Sequence, residues 1–189
     1  AVRPVTNVLR GACWLLAALA TVHVWRHSQD RRLGDFPGVR VMRDITYRTV
    51  AGDPLALDLY LPTATSETPR PLVIAVHGGS WTGGSRRDYG PQFVSLARAG
   101  IVIAVVDYRL ARPGAPTWPG ALEDVRSALD AILARAREHR IDPERVAVLG
   151  TSSGGLLAAR AAQSDPRITA AVCLSSPTSL SELVAGRNL

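Results

Sequence analysis

Two hydrophobic patterns follow one another along this chain. Residues 41–48 and 55–61 alternate apolar and polar positions, the period of half-buried strands, and the cluster Ala51-Gly52-Asp53-Pro54 between them predicts a turn. An antiparallel hairpin at one edge of a sheet is expected there. Residues 72–76, 101–106, 146–149 and 170–174 are instead continuous Val-, Ile- and Ala-rich runs, as in parallel strands buried on both faces. Between these runs, residues 89–99, 119–139 and 155–162 carry small and apolar side chains at helical spacing. Pro119 suits a first helical turn and Gly100 a helix end. The alternation predicts an α/β fold with a mostly parallel sheet, right-handed crossovers and an N-terminal antiparallel hairpin.

Ahead of this region lies a different pattern. Residues 11–25 carry no acidic or basic side chain except His23, with Arg3 and Arg10 before them and Arg26, His27, Arg31 and Arg32 after. Residues 1–29 are expected to be a signal or membrane-anchor segment. As a helix, residues 11–25 reach about 22 Å against a hydrocarbon core of about 30 Å. A signal-peptide core, with Ala18-Leu19-Ala20 as its cleavage site, therefore competes with a signal anchor whose interfacial rings are Trp14 and Trp25. Either implies membrane association through residues 11–25 or export, and a cell-envelope location. Residues 30–40, with Gly34, Pro37 and Gly38, read as a linker, and residues 41–189 as the folded domain.

Composition narrows the classes. With 189 residues, 47% hydrophobic and 20% charged, the chain suits one globular domain and at most one membrane span. Its net charge of +6 comes entirely from arginine, but the arginines are scattered, and nucleic acid as a partner needs a clustered basic stripe. Cys13, in an apolar run, and Cys173, in a strand expected to be buried, read as buried structural thiols. No His or Cys cluster has metal-ligand spacing, and Gly83-Gly84-Ser85 lacks the lysine of a nucleotide cradle, so no metal or cofactor is expected.

The chemistry lies in two loops. Gly150-Thr151-Ser152-Ser153-Gly154 fits G-x-S-x-G directly between a predicted strand and a predicted helix, the context of a nucleophile elbow. The sharp turn strains the serine backbone and demands small residues two before and two after it, which selects Ser152 over Ser153. After residues 72–76 comes His77-Gly78-Gly79-Ser80-Trp81, a glycine loop that can turn bare N–H groups toward a developing oxyanion. Ser152 is thus the candidate nucleophile, and the N–H groups of Gly78, Gly79 and Ser153 the candidate oxyanion hole. His77 reads as an orienting hydrogen-bond partner. Trp81 is either a packing residue or a substrate-binding wall of the acyl pocket.

On these residues the chain resembles the α/β-hydrolase superfamily, in particular the esterase/lipase branch with hormone-sensitive-lipase-like and feruloyl-esterase-like members. Leu57-Asp58-Leu59-Tyr60-Leu61-Pro62, Asp107-Tyr108-Arg109-Leu110, residues 118–125 and residues 141–146 resemble that branch in the same order. The likeness covers about residues 41–178. It implies a serine carboxylesterase acting on a small-molecule ester, with Asp107, Arg109 and Asp124 bracing loops. It also implies a triad in the order Ser, then Asp or Glu, then His. Only Asp165 and Glu182 supply carboxylates after Ser152, and no histidine follows it. The triad acid and base and two further strands are therefore expected to lie beyond these residues. The chain would then be the N-terminal part of an esterase, with an apolar, exposed sheet edge and little activity of its own. A non-catalytic, membrane-tethered remnant and a serine peptidase of the same fold are the alternatives.

Overall fold

The computed structural model describes residues 36–177. Strands β1 (Val39–Val50), β2 (Asp53–Pro62), β3 (Arg70–Val76), β4 (Val102–Val106), β5 (Ile141–Thr151) and β6 (Ile168–Leu174) form one sheet in the order β1-β2-β4-β3-β5-β6. β1 and β2 make the expected antiparallel hairpin around Ala51 and Gly52. Both turn residues have positive φ, 49° and 88°, the arrangement whose twist matches that of the flanking strands. β2 pairs antiparallel with β4, while β4, β3, β5 and β6 run parallel.

Helices α1 (Val94–Arg98), α2 (Gly120–Leu133) and α3 (Ser153–Ser164) follow the strands in alternation. On one face of the sheet, Val125, Leu129 and Ile132 of α2 and Leu157 and Ala158 of α3 pack with Leu72, Ile74, Val146 and Val148. On the other, Tyr89 and Phe93 join Val94 and Ala97 of α1 against Ala75, Ile103 and Val105. Successive residues of β3 and β4 point to opposite faces and both faces are covered, which is why those runs are apolar without alternation.

Several expectations need correction. The helix predicted over 89–99 is a 3₁₀ turn at Gly90–Phe93 followed by the five residues of α1, because Pro91 disfavours α-helical backbone at the Gly90 before it. α2 stops at Leu133 rather than His139, since beyond it only Ala136 among residues 134–138 still packs on the core. The side chain of His139, beyond the end of α2, is 5% exposed. β6 is not buried on both faces. Val172 and Leu174 are 45% and 48% exposed, and Cys173, read as a buried thiol, is exposed. An apolar run shows that a strand can be buried, but among the described residues β6 has one strand neighbour, β5, and all but Ile168 of it is exposed. Cys13 lies outside the described residues.

The membrane expectation is also corrected. No helix among the described residues is long and apolar enough to cross a membrane. Residues 11–25, on which the anchor, the membrane partner and the envelope location all rested, lie outside the described residues, as does the linker up to residue 35.

Candidate active site

The register of the sheet brings the two candidate loops together. Val76 at the end of β3 lies opposite Gly150 in β5, so the chain leaves both strands side by side. Two residues further on, a Cβ built on Gly78 would stand 3.3 Å from Ser152 Cβ and 2.8 Å from the Thr151 carbonyl oxygen.

Ser152 occupies the turn between β5 and α3 with φ 54° and ψ −122°, a conformation that L side chains rarely adopt. Its N–H donates to the Leu174 carbonyl at 2.8 Å, and its carbonyl accepts from Gly155 N at 3.0 Å. The turn closes because two Cβ atoms are missing. One on Gly150 would overlap the Gly154 carbonyl, and one on Gly154 would overlap the carbonyl oxygens of Val76 and His77. The small residues required by the spacing thus sit at the two closest backbone approaches.

The glycine loop is held from behind. The imidazole of His77, buried and stacked on Tyr108 with centroids 4.3 Å apart, places Nδ1 2.7 Å from the Gly78 carbonyl oxygen. Facing a carbonyl, Nδ1 must carry the proton. Burial holds this imidazole below its ordinary pKa, against the opposing pull of the Gly78 carbonyl. The Gly79 carbonyl in turn accepts from Gly83 N at 3.0 Å and Thr82 N at 3.1 Å. In a trans peptide the N–H points opposite to the C=O, so these anchors set the directions of the Gly79 and Ser80 amides. Among the described residues, the N–H groups of Gly79, Ser80 and Ser153 donate to no protein acceptor. The Gly78 N–H likewise donates to no protein acceptor there. Ser80 was not among the sequence candidates, since glycine content alone points to Gly78 and Gly79. Trp81 is half-buried and packs against the core, and its backbone carbonyl accepts from Ala111 N at 2.7 Å.

Ion pairs fix the surrounding loops. Arg86, directly after the glycine loop, donates through Nε to Asp58 at 3.0 Å and through its amide to Asp107 at 2.7 Å, and its guanidinium also meets Asp107 and Asp44. Burial alone would lower its pKa. Asp107 and Asp58 outweigh that and raise it. Arg109 forks onto Asp124 at 2.7 Å through both Nε and Nη2, and Arg48 reaches the same carboxylate at 3.1 Å. Asp107, Arg109 and Asp124 therefore brace the loops after β4, as the sequence suggested. Asp165 is likewise held by Arg167, at 2.9 and 2.6 Å. A fourth brace, Tyr108, donates from its hydroxyl to the His77 carbonyl at 3.0 Å, and burial pushes its pKa up to about 12. The described residues contain no cluster of three or more His, Cys, Asp or Glu side chains suited to a metal ion.

A family model described as BD-FAE matches residues 57–177. The chain belongs to the BD-FAE family. It is 30% identical over 162 residues to the probable carboxylic ester hydrolase LipM of Mycobacterium tuberculosis, a match covering 78% of this chain and 37% of that protein. It is 34% identical over 125 residues to the non-reducing polyketide synthase pkbA of Emericella nidulans, covering 62% of this chain but 5% of the synthase. Among solved structures it matches a bacterial heroin esterase with a TM-score of 0.60 and 34% identity, over 76% of this chain and 44% of the esterase. The BD-FAE chain thus has a carboxylesterase-type α/β-hydrolase fold and spans less than half the length of each of these relatives.

Proposed function

We propose that this chain carries the nucleophile and the oxyanion-binding loop of a serine carboxylesterase. Ser152 Oγ attacks the ester carbonyl, the alcohol leaves, and water releases the acid from the acyl-serine. The negative charge of the tetrahedral intermediate is held by backbone N–H groups of the glycine loop and of Ser153. The N–H groups of the candidates Gly78, Gly79 and Ser153 are all unengaged, and so is that of Ser80, which the reading adds. Trp81 is kept as packing beneath that loop. His77 cannot serve as base while its Nδ1 faces the Gly78 carbonyl and its ring is stacked on Tyr108, and no histidine follows Ser152 in these 189 residues. The base and its orienting acid are assigned to residues outside this sequence.

The observation that carries the reading is the positive φ of Ser152 between two glycines at a strand-to-helix turn. The likeness to LipM, a probable carboxylic ester hydrolase, supports it. The test is turnover of matched p-nitrophenyl esters and anilides by the intact protein, with Ser152→Ala beside it. Ester hydrolysis reduced at least about a thousandfold in the variant is expected. Unchanged turnover in Ser152→Ala, or anilide turnover equal to that of the ester, overturns the proposal.

A further inference from the structure

Tyr108 is buried at the start of the loop after β4, and the parallel register explains why it meets the glycine loop. Val106 lies opposite Val76, so the residues that follow each strand emerge together. The side chain then makes two contacts with the proposed oxyanion-binding elements. Its hydroxyl donates to the His77 carbonyl at 3.0 Å. Its ring lies 4.3 Å from the His77 imidazole at an interplanar angle of 15°, and that imidazole in turn holds the Gly78 carbonyl.

We propose that Tyr108 is a positioning residue that aims an oxyanion-binding amide, acting through the His77 ring on the Gly79 N–H. It touches no reacting atom. Because the Gly78 carbonyl and the Gly79 N–H belong to one planar peptide, the direction of the N–H follows the imidazole, and the imidazole is clamped by the Tyr108 ring on one face and by the tie between the Tyr108 hydroxyl and its own backbone carbonyl. Gly154 contributes the opposite wall, since any Cβ there would strike the same His77 carbonyl. A donor tilted away from its target is worth much less than an aligned one, because hydrogen bonds weaken steeply with angle.

The inference rests on Ser152 being the nucleophile, and the experiment separates the two. Tyr108→Phe keeps the ring stack and removes only the hydroxyl. In the intact protein acting on p-nitrophenyl acetate, kcat should fall on the order of tenfold with KM unchanged, a partial form of the 10²–10³ lost when an oxyanion donor is removed outright. The Tm should move by no more than about 4 °C. Tyr108→Leu, which removes the stack as well, should lower kcat further. If Ser152→Ala abolishes turnover while Tyr108→Phe retains wild-type kcat, the positioning role is wrong and the nucleophile stands. A lowered Tm with kcat intact at temperatures well below it also overturns the positioning role, because Tyr108 is then a packing residue. If Ser152→Ala retains turnover, both readings fall.

Discussion

Replacing Arg86 by methionine tests whether the ion pairs behind the glycine loop hold the fold together. The guanidinium is 9% exposed and its partner Asp58 only 3%, so the variant leaves a carboxylate buried with little compensation. Breaking such a pair from one side costs about 3–5 kcal/mol. Asp58 keeps the Asp44 N–H at 2.9 Å and Arg43 Nη1 at 3.4 Å, which places the expected loss near the lower end, about 3 kcal/mol. Asp44 is 59% exposed, and its pairing with Arg86 adds less than about 1 kcal/mol. In urea, with a slope of about 2 kcal/mol per molar, the unfolding midpoint should drop by about 1.5 M. The neighbouring Arg87→Met is the control: its pair with Asp44 is exposed on both sides, and its midpoint should move by less than about 0.5 M. Adding Asp58→Asn to Arg86→Met should recover at least about 1 kcal/mol, since the uncompensated charge disappears. Equal midpoints for the Arg86 and Arg87 variants would refute the reasoning, because Arg86 has the buried Asp58 and the largely buried Asp107 as partners and Arg87 only the exposed Asp44.

Two further outcomes follow from the same geometry. Gly154→Ala forces a Cβ onto the carbonyl oxygens of Val76 and His77, which are backbone and cannot rotate away, so it should cost about 1–3 kcal/mol by denaturant unfolding and displace the turn at Ser152. A variant as stable as the parent would mean that the elbow is looser than these contacts imply. His77 and His139 both have pKa values lowered, first of all by burial. Between those lowered values and about 6.5 the unfolded chain binds more protons than the folded one, so stability is complete above about pH 6.5 and declines as the pH falls below it. The lowered pKa of Asp165, caused first by its hydrogen bond from Arg167, adds a second decline that begins only near pH 4. Urea midpoints between pH 7.5 and 5 that stay level or rise would contradict the burial of the two imidazoles.

What the residues determine locally was legible in the chain itself. The hairpin, the four apolar runs and the order of strands and helices follow from periodicity and turn residues, because those signals act within a few positions of one another. The elbow was legible for the same reason: Gly150, Ser152 and Gly154 lie within one turn, and their spacing encodes a close approach that any such turn must make. The His77 loop could be read from its position after a strand. Even the braces Asp107, Arg109 and Asp124 could be suspected, since charged residues at the edge of apolar segments need partners.

Only the tertiary structure decided which partners those were. Arg86 meets Asp58 across 28 positions and Tyr108 meets His77 across 31, and no local pattern ties such residues together. The choice among backbone donors was also tertiary. Ser80 joins Gly78 and Gly79 as a candidate because the fold pins the Gly79 carbonyl that precedes its N–H and leaves that N–H unengaged. Burial of β6 and Cys173 failed as a sequence reading because the apolarity of a strand is its own property, whereas its cover belongs to whatever packs against it. The sequence sets which backbone shapes are permitted, and the fold sets which atoms then face each other.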